Sequence, residues 1–477
     1  PAVQEVRSKL ALVRAEDAAG RYIRGLELAN EAVAAAEATA YPPIRVDALL
    51  ARGRVQEHLG EYDAAEKALV DAYARAEAIG HEEAKAEAAI LLVRITGDRQ
   101  SDKKMAAVWA RLGDAALERL GRPREPQIEY LAAVGSMQTR FGRLDEALAT
   151  LDEALALDAE LPGVHPRRAL FHRYRGNALY RQGKYPAAQS EYARSVELAE
   201  SSLGPEHPEV ANSISNLGEA QRIQGNLDLA EQNFARALTI WERSLGPDSP
   251  KLAVGFNGLA SIAYERGDLE AAAHEYRRIV GLYERTLGPE HADVGIILGN
   301  LGEVELRQGK FVEARATLER AIALIEGGLG ADHALVADAR SNLGEVLLAL
   351  GEPEAAAAEY DAAIAVHERA GNLDHPELAK PLAGRGRLAL SLRRPAEAAP
   401  LFERALALRT AGGGEAVDLA ELRLGLAEAL WDGQQDRARA RSLVEESRAA
   451  LASAAESAKR TAALVAAEAW LAGHPAH

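Results

Sequence analysis

The residue combinations that most often bind phosphate or zinc are incomplete in this sequence. Two Gly-Lys pairs, at Gly183 and Gly309, are followed by Tyr and Phe, whereas a phosphate-binding loop needs Ser or Thr there to hold magnesium. Three His-Glu pairs, at His81, His274 and His367, lack the second His four residues later that would complete a zinc-binding helix face. We therefore expect neither a metal site nor a cofactor.

Motifs for nucleophilic catalysis and phosphoryl transfer are also missing. The sequence contains no Gly-x-Ser-x-Gly elbow, no kinase Gly-rich loop and no His-Arg-Asp or Asp-Phe-Gly signature. It has no cysteine, which excludes disulfides and cysteine nucleophiles and favours the cytoplasm. We predict that the chain is not an enzyme. An unrecognised active site in the irregular N-terminal third is the alternative.

The charge balance bears on the class of partner. With 56 Lys and Arg against 72 Asp and Glu, the formal net charge is −16, and such a surface repels phosphate backbones and anionic lipid. No run of 18 apolar residues that could span a membrane is present. We expect no nucleic-acid or membrane partner. A repeat-containing transcriptional regulator remains an alternative, but it would need a basic DNA-reading module that the sequence does not show.

An internal repeat organises the middle of the chain. Similar segments begin at 161, 203, 245, 287 and 329, always 42 residues apart, and a degraded sixth copy occupies 373–376. We expect the resulting polar column to form turns or cap helices, since copies one repeat apart, at roughly 10 Å, lie too far from each other to share a metal with ~2 Å bonds. The column consists of His165, His207, Ser249, His291, His333 and His375.

Three further columns keep the same phase and predict a helical hairpin in each unit. Glycines are expected to end the first helix in a left-handed conformation, and small residues four positions before bulky ones are expected to let the two helices interdigitate. The glycine column is broken only by Arg393. The columns are Gly183, Gly225, Gly267, Gly309 and Gly351; Ala188, Ala230, Ala272, Ala314, Ala356 and Ala398; and Tyr192, Phe234, Tyr276, Leu318, Tyr360 and Phe402.

This pattern resembles the tetratricopeptide repeat. The 42-residue length and the Leu-Gly-Pro-Glu-His-Pro link at 203–208 resemble the kinesin light chain type. The resemblance implies an all-α, right-handed superhelical solenoid of antiparallel helix pairs that binds a protein or peptide in its concave groove. We divide the chain into divergent repeats at 1–160, six regular units at 161–410, and a Gly-rich break with capping helices at 411–477. The oligomeric state stays open.

Candidate binding residues lie in the first helices, which line the concave surface of such arrays. In tetratricopeptide proteins that bind extended peptides, an Asn just before the first-helix Leu holds the peptide backbone, and the resemblance implies this role here. A hydrogen bond between helices is the alternative. A carboxylate clamp would be only half complete, because Val254 and Gly258 replace its second half. The candidates are Asn216, Asn300 and Asn342, with Asn257 out of phase, and Arg173 and Asn177 as the half clamp.

The C-terminal stretch from Ala429 to Ala472 resembles the end of tetratricopeptide regions attached to bacterial Ser/Thr protein kinases of myxobacterial type. That resemblance implies a signalling role, in which this chain docks or senses a partner for a kinase domain outside it. The chain starts at Pro1 and not at Met, which we interpret as a processed product or a fragment. A kinase domain upstream of Pro1 is consistent with that interpretation.

Overall fold

Ala and Leu supply most of the apolar residues, and both favour helix. The computed structural model of the protein describes residues 2–98, 103–161, 167–371, 373–454 and 458–475. Every regular element within these ranges is a helix, which confirms the all-α prediction. The helices fall into two compact units, Pro1–Gly258 and Leu259–His477. The three-part division made from the sequence stays a prediction.

Unit 1, Pro1–Gly258, is a series of helical hairpins in which each odd-numbered helix packs against the next even-numbered one. The last helix named here, α13, continues across the boundary into the following unit. The helices are α1 (Ala2–Ala18), α2 (Tyr22–Glu37), α3 (Pro42–Leu59), α4 (Tyr62–Ile79), α5 (Glu82–Asp98), α6 (Lys103–Arg119), α7 (Arg124–Arg140), α8 (Leu144–Ala159), α9 (Arg168–Arg181), α10 (Tyr185–Leu203), α11 (Pro208–Ile223), α12 (Leu227–Leu245) and α13 (Leu252–Arg266).

Unit 2, Leu259–His477, repeats the same hairpin and ends on a single additional helix that packs on the last pair. A short 3₁₀ turn, Pro376–Leu378, precedes its α19. The helices are α14 (Leu269–Thr286), α15 (Ala292–Arg307), α16 (Phe311–Leu329), α17 (Ala334–Ala349), α18 (Pro353–Arg369), α19 (Ala379–Ser391), α20 (Pro395–Ala411), α21 (Ala416–Asp432), α22 (Arg437–Ser453) and α23 (Ala458–Gly473).

The first helices of successive hairpins contact each other and form one layer in each unit. In unit 1 these are α1, α3, α5, α7, α9 and α11, and in unit 2 they are α15, α17, α19, α21 and α23. Each hairpin alone exposes apolar surface that its neighbours cover, so stability comes from contacts between adjacent pairs. Residues on the free face of a first helix can therefore meet residues from the first helices before and after it.

The polar column caps helices, as the sequence predicts. His207 Nδ1 accepts a hydrogen bond from the backbone N–H two residues later at 3.1 Å, and His291 and His333 repeat this at 3.2 and 3.3 Å. His375 does so at 3.3 Å, and Ser249 Oγ accepts the equivalent bond at 3.4 Å. Each acceptor satisfies one of the N–H groups that a helix start leaves unpaired. His165 lies outside the described residues.

The glycine column has the predicted left-handed conformation. Its φ angles run from 74° at Gly183 to 81° at Gly267. Arg393 breaks the column in sequence but keeps the conformation, with φ at 58°. An L-residue pays a steric cost there that glycine does not. The turn geometry is thus imposed by the hairpin and not by the residue.

Replacing Arg393 by Gly should raise the free energy of unfolding by about 0.5 kcal/mol. Relief of left-handed strain, worth about 1 kcal/mol, outweighs the added freedom of the unfolded chain. Chemical denaturation of the two proteins measures the difference. Arg404→Gly, in the interior of α20, is the opposite control and should destabilise by about 1 kcal/mol. An unchanged or lower stability for R393G would show that the arginine conformation carries no strain.

Aromatic residues of the bulky column pack between first-helix glycines of two successive units. A Cβ on Gly344 would lie 2.7 Å from the Tyr360 ring, and a Cβ on Gly384, in the next unit, would lie 2.2 Å from it. Tyr360 is fully buried as a result. Phe402 occupies the same kind of slot between Gly386 and Gly425. The bare first-helix positions therefore admit an aromatic ring from a neighbouring helix, which explains why some of them are Gly.

Candidate functional site

The first-helix layer of unit 2 encloses a cavity of about 450 Å³. Helices α15, α17, α19 and α21 each contribute to its lining. Two of the predicted binding residues, Asn300 on α15 and Asn342 on α17, line it together. They occupy equivalent positions in successive units, so stacking of the units brings their side chains to one surface. This volume is within the range of protein sites that bind small ligands or a few residues of a peptide.

Neither of these two amides has a protein partner. Asn342 is only 5% exposed and Asn300 is half-buried, yet neither side chain hydrogen-bonds to any group in the part of the chain that the structure describes. Neither amide is among the buried polar atoms that lack a partner, so their N–H and C=O groups remain accessible from the cavity. A ligand that offers both a donor and an acceptor, such as a peptide bond, can hydrogen-bond to them.

Charged groups of both signs surround the two amides. Arg409 donates to Asp418 at 2.6 Å, and Arg387 donates to Glu345. Burial raises the pKa of Asp338, opposed by the nearby Lys380 charge. Acidic side chains outnumber basic ones: the lining includes Glu303, Asp338, Glu345, Glu377, Asp418 and Glu421 against Arg307, Lys380, Arg387 and Arg409. The cavity therefore favours a ligand with a positive group.

Asn177 and Asn216, two candidates in unit 1, hydrogen-bond within the fold. Asn216 Nδ2 donates to Asn177 Oδ1 at 3.0 Å, and the Tyr192 hydroxyl donates to the same oxygen at 2.9 Å. This is the helix-to-helix hydrogen bond that the sequence left open as the alternative. The structure thus brings Asn177 and Asn216 together, where they hydrogen-bond to each other and line neither of the two cavities described here.

Arg173 and Asn257 have different surroundings from each other. Arg173 Nη2 donates to Glu209 at 2.9 Å, and the side chain lines a second cavity, of about 360 Å³, inside unit 1. Asn257 is exposed and lines neither cavity. The half clamp is accordingly split between an ion pair, Arg173 with Glu209, and an amide pair. None of these placements tests ligand binding itself, so the six assignments stay predictions.

Sequence reasoning missed most of the unit 1 cavity. Its lining comes mainly from α1, α3, α5, α7, α9 and α11, with Tyr22 from the start of α2, and it includes Arg14, Arg54, His58, Arg94 and Arg167. All of these except Arg167 lie in the divergent N-terminal region, where no repeat phase marks them. Scattered arginines in first helices were the only available signal, and on a helix such residues are usually solvated.

Three titratable groups of this cavity, Glu209, Tyr22 and His207, have pKa values shifted away from pH 7. Against the opposing effect of burial, Arg173 and Lys251 lower the pKa of Glu209 to about 2, and burial raises the pKa of Tyr22 well above its usual value. Burial also lowers the pKa of His207, so its ring is neutral at pH 7. Groups fixed in one protonation state are suited to binding and poorly suited to general acid–base catalysis.

Within this cavity, His58 and Asp17 form a histidine–carboxylate pair of the kind used in catalysis, with His58 Nδ1 2.7 Å from Asp17 Oδ1. No hydroxyl among the described residues hydrogen-bonds to this imidazole, so the pair lacks a nucleophile to activate. The same part of the chain contains no cluster of three His, Asp or Glu side chains able to hold a metal ion. It also contains no helix long and apolar enough to cross a membrane.

Family models match most of the repeat architecture. The tetratricopeptide repeat model matches 167–232, 214–285, 256–327, 293–368 and 335–411, and a second tetratricopeptide repeat model matches 10–80. These matches cover more than half of the chain. The chain belongs to the tetratricopeptide repeat family. The second match also places a tetratricopeptide repeat within the region that the sequence reads as divergent.

Solved structures agree with this tetratricopeptide repeat fold. The apo form of the quorum sensor NprR from B. thuringiensis is similar at a TM-score of 0.53 and 14% identity, over 78% of this chain and 98% of that one. A Rap protein complexed with competence and sporulation factor is similar at 0.50 and 16%, over 77% and 99%. A putative kinesin light chain with TPR-like repeats from Podosopora anserina is similar at 0.39 and 20%, over 43% and 98%.

Comparison with curated proteins finds no significant match. The function of this tetratricopeptide repeat protein is therefore inferred from its own cavities. Arrays of this family are scaffolds for protein–protein interaction, and the fold is typically non-catalytic.

Proposed function

We propose that this tetratricopeptide repeat array binds an extended peptide segment of a partner protein in the cavity of unit 2. The observation that carries this proposal is the pair of open amides, Asn300 and Asn342, in equivalent positions of adjacent units. Such amides can donate to a peptide C=O and accept from a peptide N–H irrespective of side-chain sequence. The excess of acidic groups then selects segments that carry Lys or Arg.

A structural neighbour supports a ligand-binding role. The Rap protein, which shares the fold, was solved in complex with competence and sporulation factor. The absence of cysteine supports a cytoplasmic setting. We place Asn216 and Asn177 outside the binding surface, because their amides already bond to each other.

The peptide proposal predicts a loss of affinity in an Asn300→Ala, Asn342→Ala double variant. Each lost amide removes about 1 kcal/mol of net hydrogen bonding, so affinity should fall about 30-fold. Peptides would be selected on the wild-type protein from a displayed random 12-residue library, and the tightest would be measured by fluorescence anisotropy.

The matched control is Asn257→Ala, which removes an exposed amide outside both cavities and should leave affinity unchanged. Asn216→Ala distinguishes an effect on binding from an effect on folding, because it should lower the stability of the protein and leave its peptide affinity unchanged. Equal affinity for the double variant and the wild type would remove the groove assignment, as would a library that yields no binder.

We further propose that this chain belongs to a protein kinase. We assign the chain to the docking or sensor region of a bacterial Ser/Thr protein kinase whose catalytic domain lies outside these residues. The support is the resemblance of the C-terminal stretch, which folds into α21, α22 and α23. There Trp431 packs edge-on against Trp470 at 5.5 Å and closes the end of the array. A kinase domain in the same natural polypeptide would support the assignment.

A further inference from the structure

Unit 1 is closed on itself by contacts between its first three helices and its last ones. Tyr22, only 1% exposed, packs on the His58 ring at 4.8 Å and meets the His207 ring edge-on at 6.4 Å. A Cβ on Gly20 would lie 2.4 Å from Pro208, so these backbones touch directly. Lys251 Nζ donates to the His58 carbonyl at 3.2 Å, across 193 residues of sequence.

The closed ring of helices surrounds the 360 Å³ cavity described above. Its wall is mainly apolar, with Leu91, Phe171 and Leu203 beside Tyr22. Because these contacts close the ring, a folded domain or a long peptide would not fit inside it. What fits instead is a ligand small enough to enter the ring, and apolar over most of its surface.

Arginine side chains supply the polar part of this wall. Arg54 donates one N–H group to Glu87 at 2.5 Å, and Arg173 donates one to Glu209. The Nε of Arg173 is buried without an acceptor. Arg14 lines the cavity from an exposed position and makes no ion pair or hydrogen bond with any described residue. Arg14, Arg54 and Arg173 therefore each keep N–H groups that a ligand could use, and those of Arg14 face solvent in the unbound protein.

The charge of this lining is opposite to that of the chain. Five arginines face Asp17, Glu129 and Glu209, whereas the whole sequence has a net charge of −16. Burial together with the charges of Arg54 and Arg94 lowers the pKa of Arg167 to about 10, although Arg167 also contacts Glu129. Four of these arginines each contact a carboxylate: Arg54 contacts Glu87, Arg94 contacts Glu57, Arg167 contacts Glu129 and Arg173 contacts Glu209. Arg14 is the arginine of the lining without an acidic partner among the described residues, and its charge is available to an anion.

We propose that this chamber is a second binding site, separate from the unit 2 cavity, for a small apolar carboxylate. The apolar body of the ligand occupies the space between Phe171 and Leu203. Its carboxylate pairs with Arg54 and Arg14, whose remaining N–H groups can form the two parallel bonds that favour carboxylates. A free fatty acid and the C-terminus of a very short apolar peptide share this chemistry.

Isothermal titration calorimetry on the full chain tests the site with four probes. Decanoate and N-acetyl-trileucine each carry the carboxylate, and decan-1-ol and N-acetyl-trileucine amide are their neutral counterparts. We expect at least one acid to bind with one site per chain and at least tenfold more tightly than its neutral counterpart. The acid that binds identifies the source.

Two variants locate the binding. Arg14→Gln with Arg54→Gln should weaken the acid at least tenfold, and Leu203→Trp, which fills the chamber, should abolish binding. Arg75→Gln is the matched control: it removes an arginine of unit 1 that pairs with Asp71 and Glu37 outside the chamber. It should bind like the wild type.

Three outcomes would overturn the proposal: neutral probes that bind as tightly as the acids, acids that show no saturable binding below about 1 mM, or R14Q/R54Q that binds unchanged. The Asn300→Ala, Asn342→Ala variant should bind the acid normally. Failure of the peptide groove and failure of this chamber are therefore distinguishable.

Discussion

Replacing Glu209 by Gln should lower the free energy of unfolding by about 3 kcal/mol at pH 7. The carboxylate accepts hydrogen bonds from Arg173 at 2.9 Å and from Asn212 at 3.0 Å, and it faces the Lys251 ammonium group. The pair is part-buried, with 29% of the Glu209 side chain exposed, and removing the carboxylate leaves the Arg173 and Lys251 charges uncompensated. The lowering of the Glu209 pKa from 4.5 to about 2 corresponds to about 3 kcal/mol. Thermal or urea denaturation of unit 1 measures the change.

The contribution of Glu209 to stability should also depend on pH, and the direction of that dependence follows from its lowered pKa. Burial alone would raise the pKa of Glu209, but Arg173 and Lys251 hold it at about 2, below the ordinary value of 4.5. A lowered folded-state pKa stabilises the protein above pH 4.5, and that contribution disappears as the pH falls towards 2. The stability difference between wild type and E209Q should therefore shrink from about 3 kcal/mol to near zero over this interval.

Glu206→Gln is the matched control for both measurements. Glu206 precedes α11 by two residues and pairs with Arg243 at 2.8 Å, but its side chain is 64% exposed. Exposed ion pairs contribute at most about 1 kcal/mol, so E206Q should stay close to the wild type. If E209Q matched E206Q, the ion pair would not stabilise unit 1.

Replacing Tyr360 by Ala should destabilise unit 2 by about 4 kcal/mol. The ring is fully buried between Gly344 and Gly384, two positions with no side chain to close the space that its loss would leave. Truncation of a buried aromatic residue costs about 3–5 kcal/mol, and the cost is highest where neighbours cannot collapse. Because repeat arrays unfold in parts, hydrogen exchange of α17, α18 and α19 is the most direct readout.

Leu392→Ala provides the comparison for this substitution. Leu392 directly follows α19 as its C-cap and is 42% exposed, so its truncation should change stability by less than about 0.5 kcal/mol. Gly384→Ala tests the same packing by adding a methyl group on the opposite face of the Tyr360 ring. The methyl group would overlap the ring, so the substitution should lower the free energy of unfolding by about 1–3 kcal/mol. If Tyr360→Ala were as stable as Leu392→Ala, packing of the Tyr360 ring between Gly344 and Gly384 would not stabilise the hairpins.

The sequence predicted most of the hairpin architecture because each rule acts over a few residues. A glycine that ends a helix, or a His that caps one, is decided by the backbone around it. The φ of 74° at Gly183 and the cap at His291 follow from that local requirement. Even Arg393 kept the turn, since the hairpin on either side demands it.

The candidate site was only partly predictable, because equivalent sequence positions acquire different neighbours. Asn216 and Asn342 look alike in the repeat, but the first meets Asn177, 39 residues earlier, and the second faces a cavity. At Gly384 the same position is filled by the Tyr360 ring of the preceding unit. Which amide is open therefore depends on a side chain in another repeat.

The sequence by itself determined that this protein is an array of helical hairpins, with its caps, turns and small-to-large packing, since those depend on residues close together in the chain. Tertiary structure alone decided which amides are free to bind and that unit 1 closes around an arginine-lined chamber. The contact from Lys251 to His58 spans 193 residues. Such a contact depends on the summed rotation of every intervening helix pair, which no local pattern encodes.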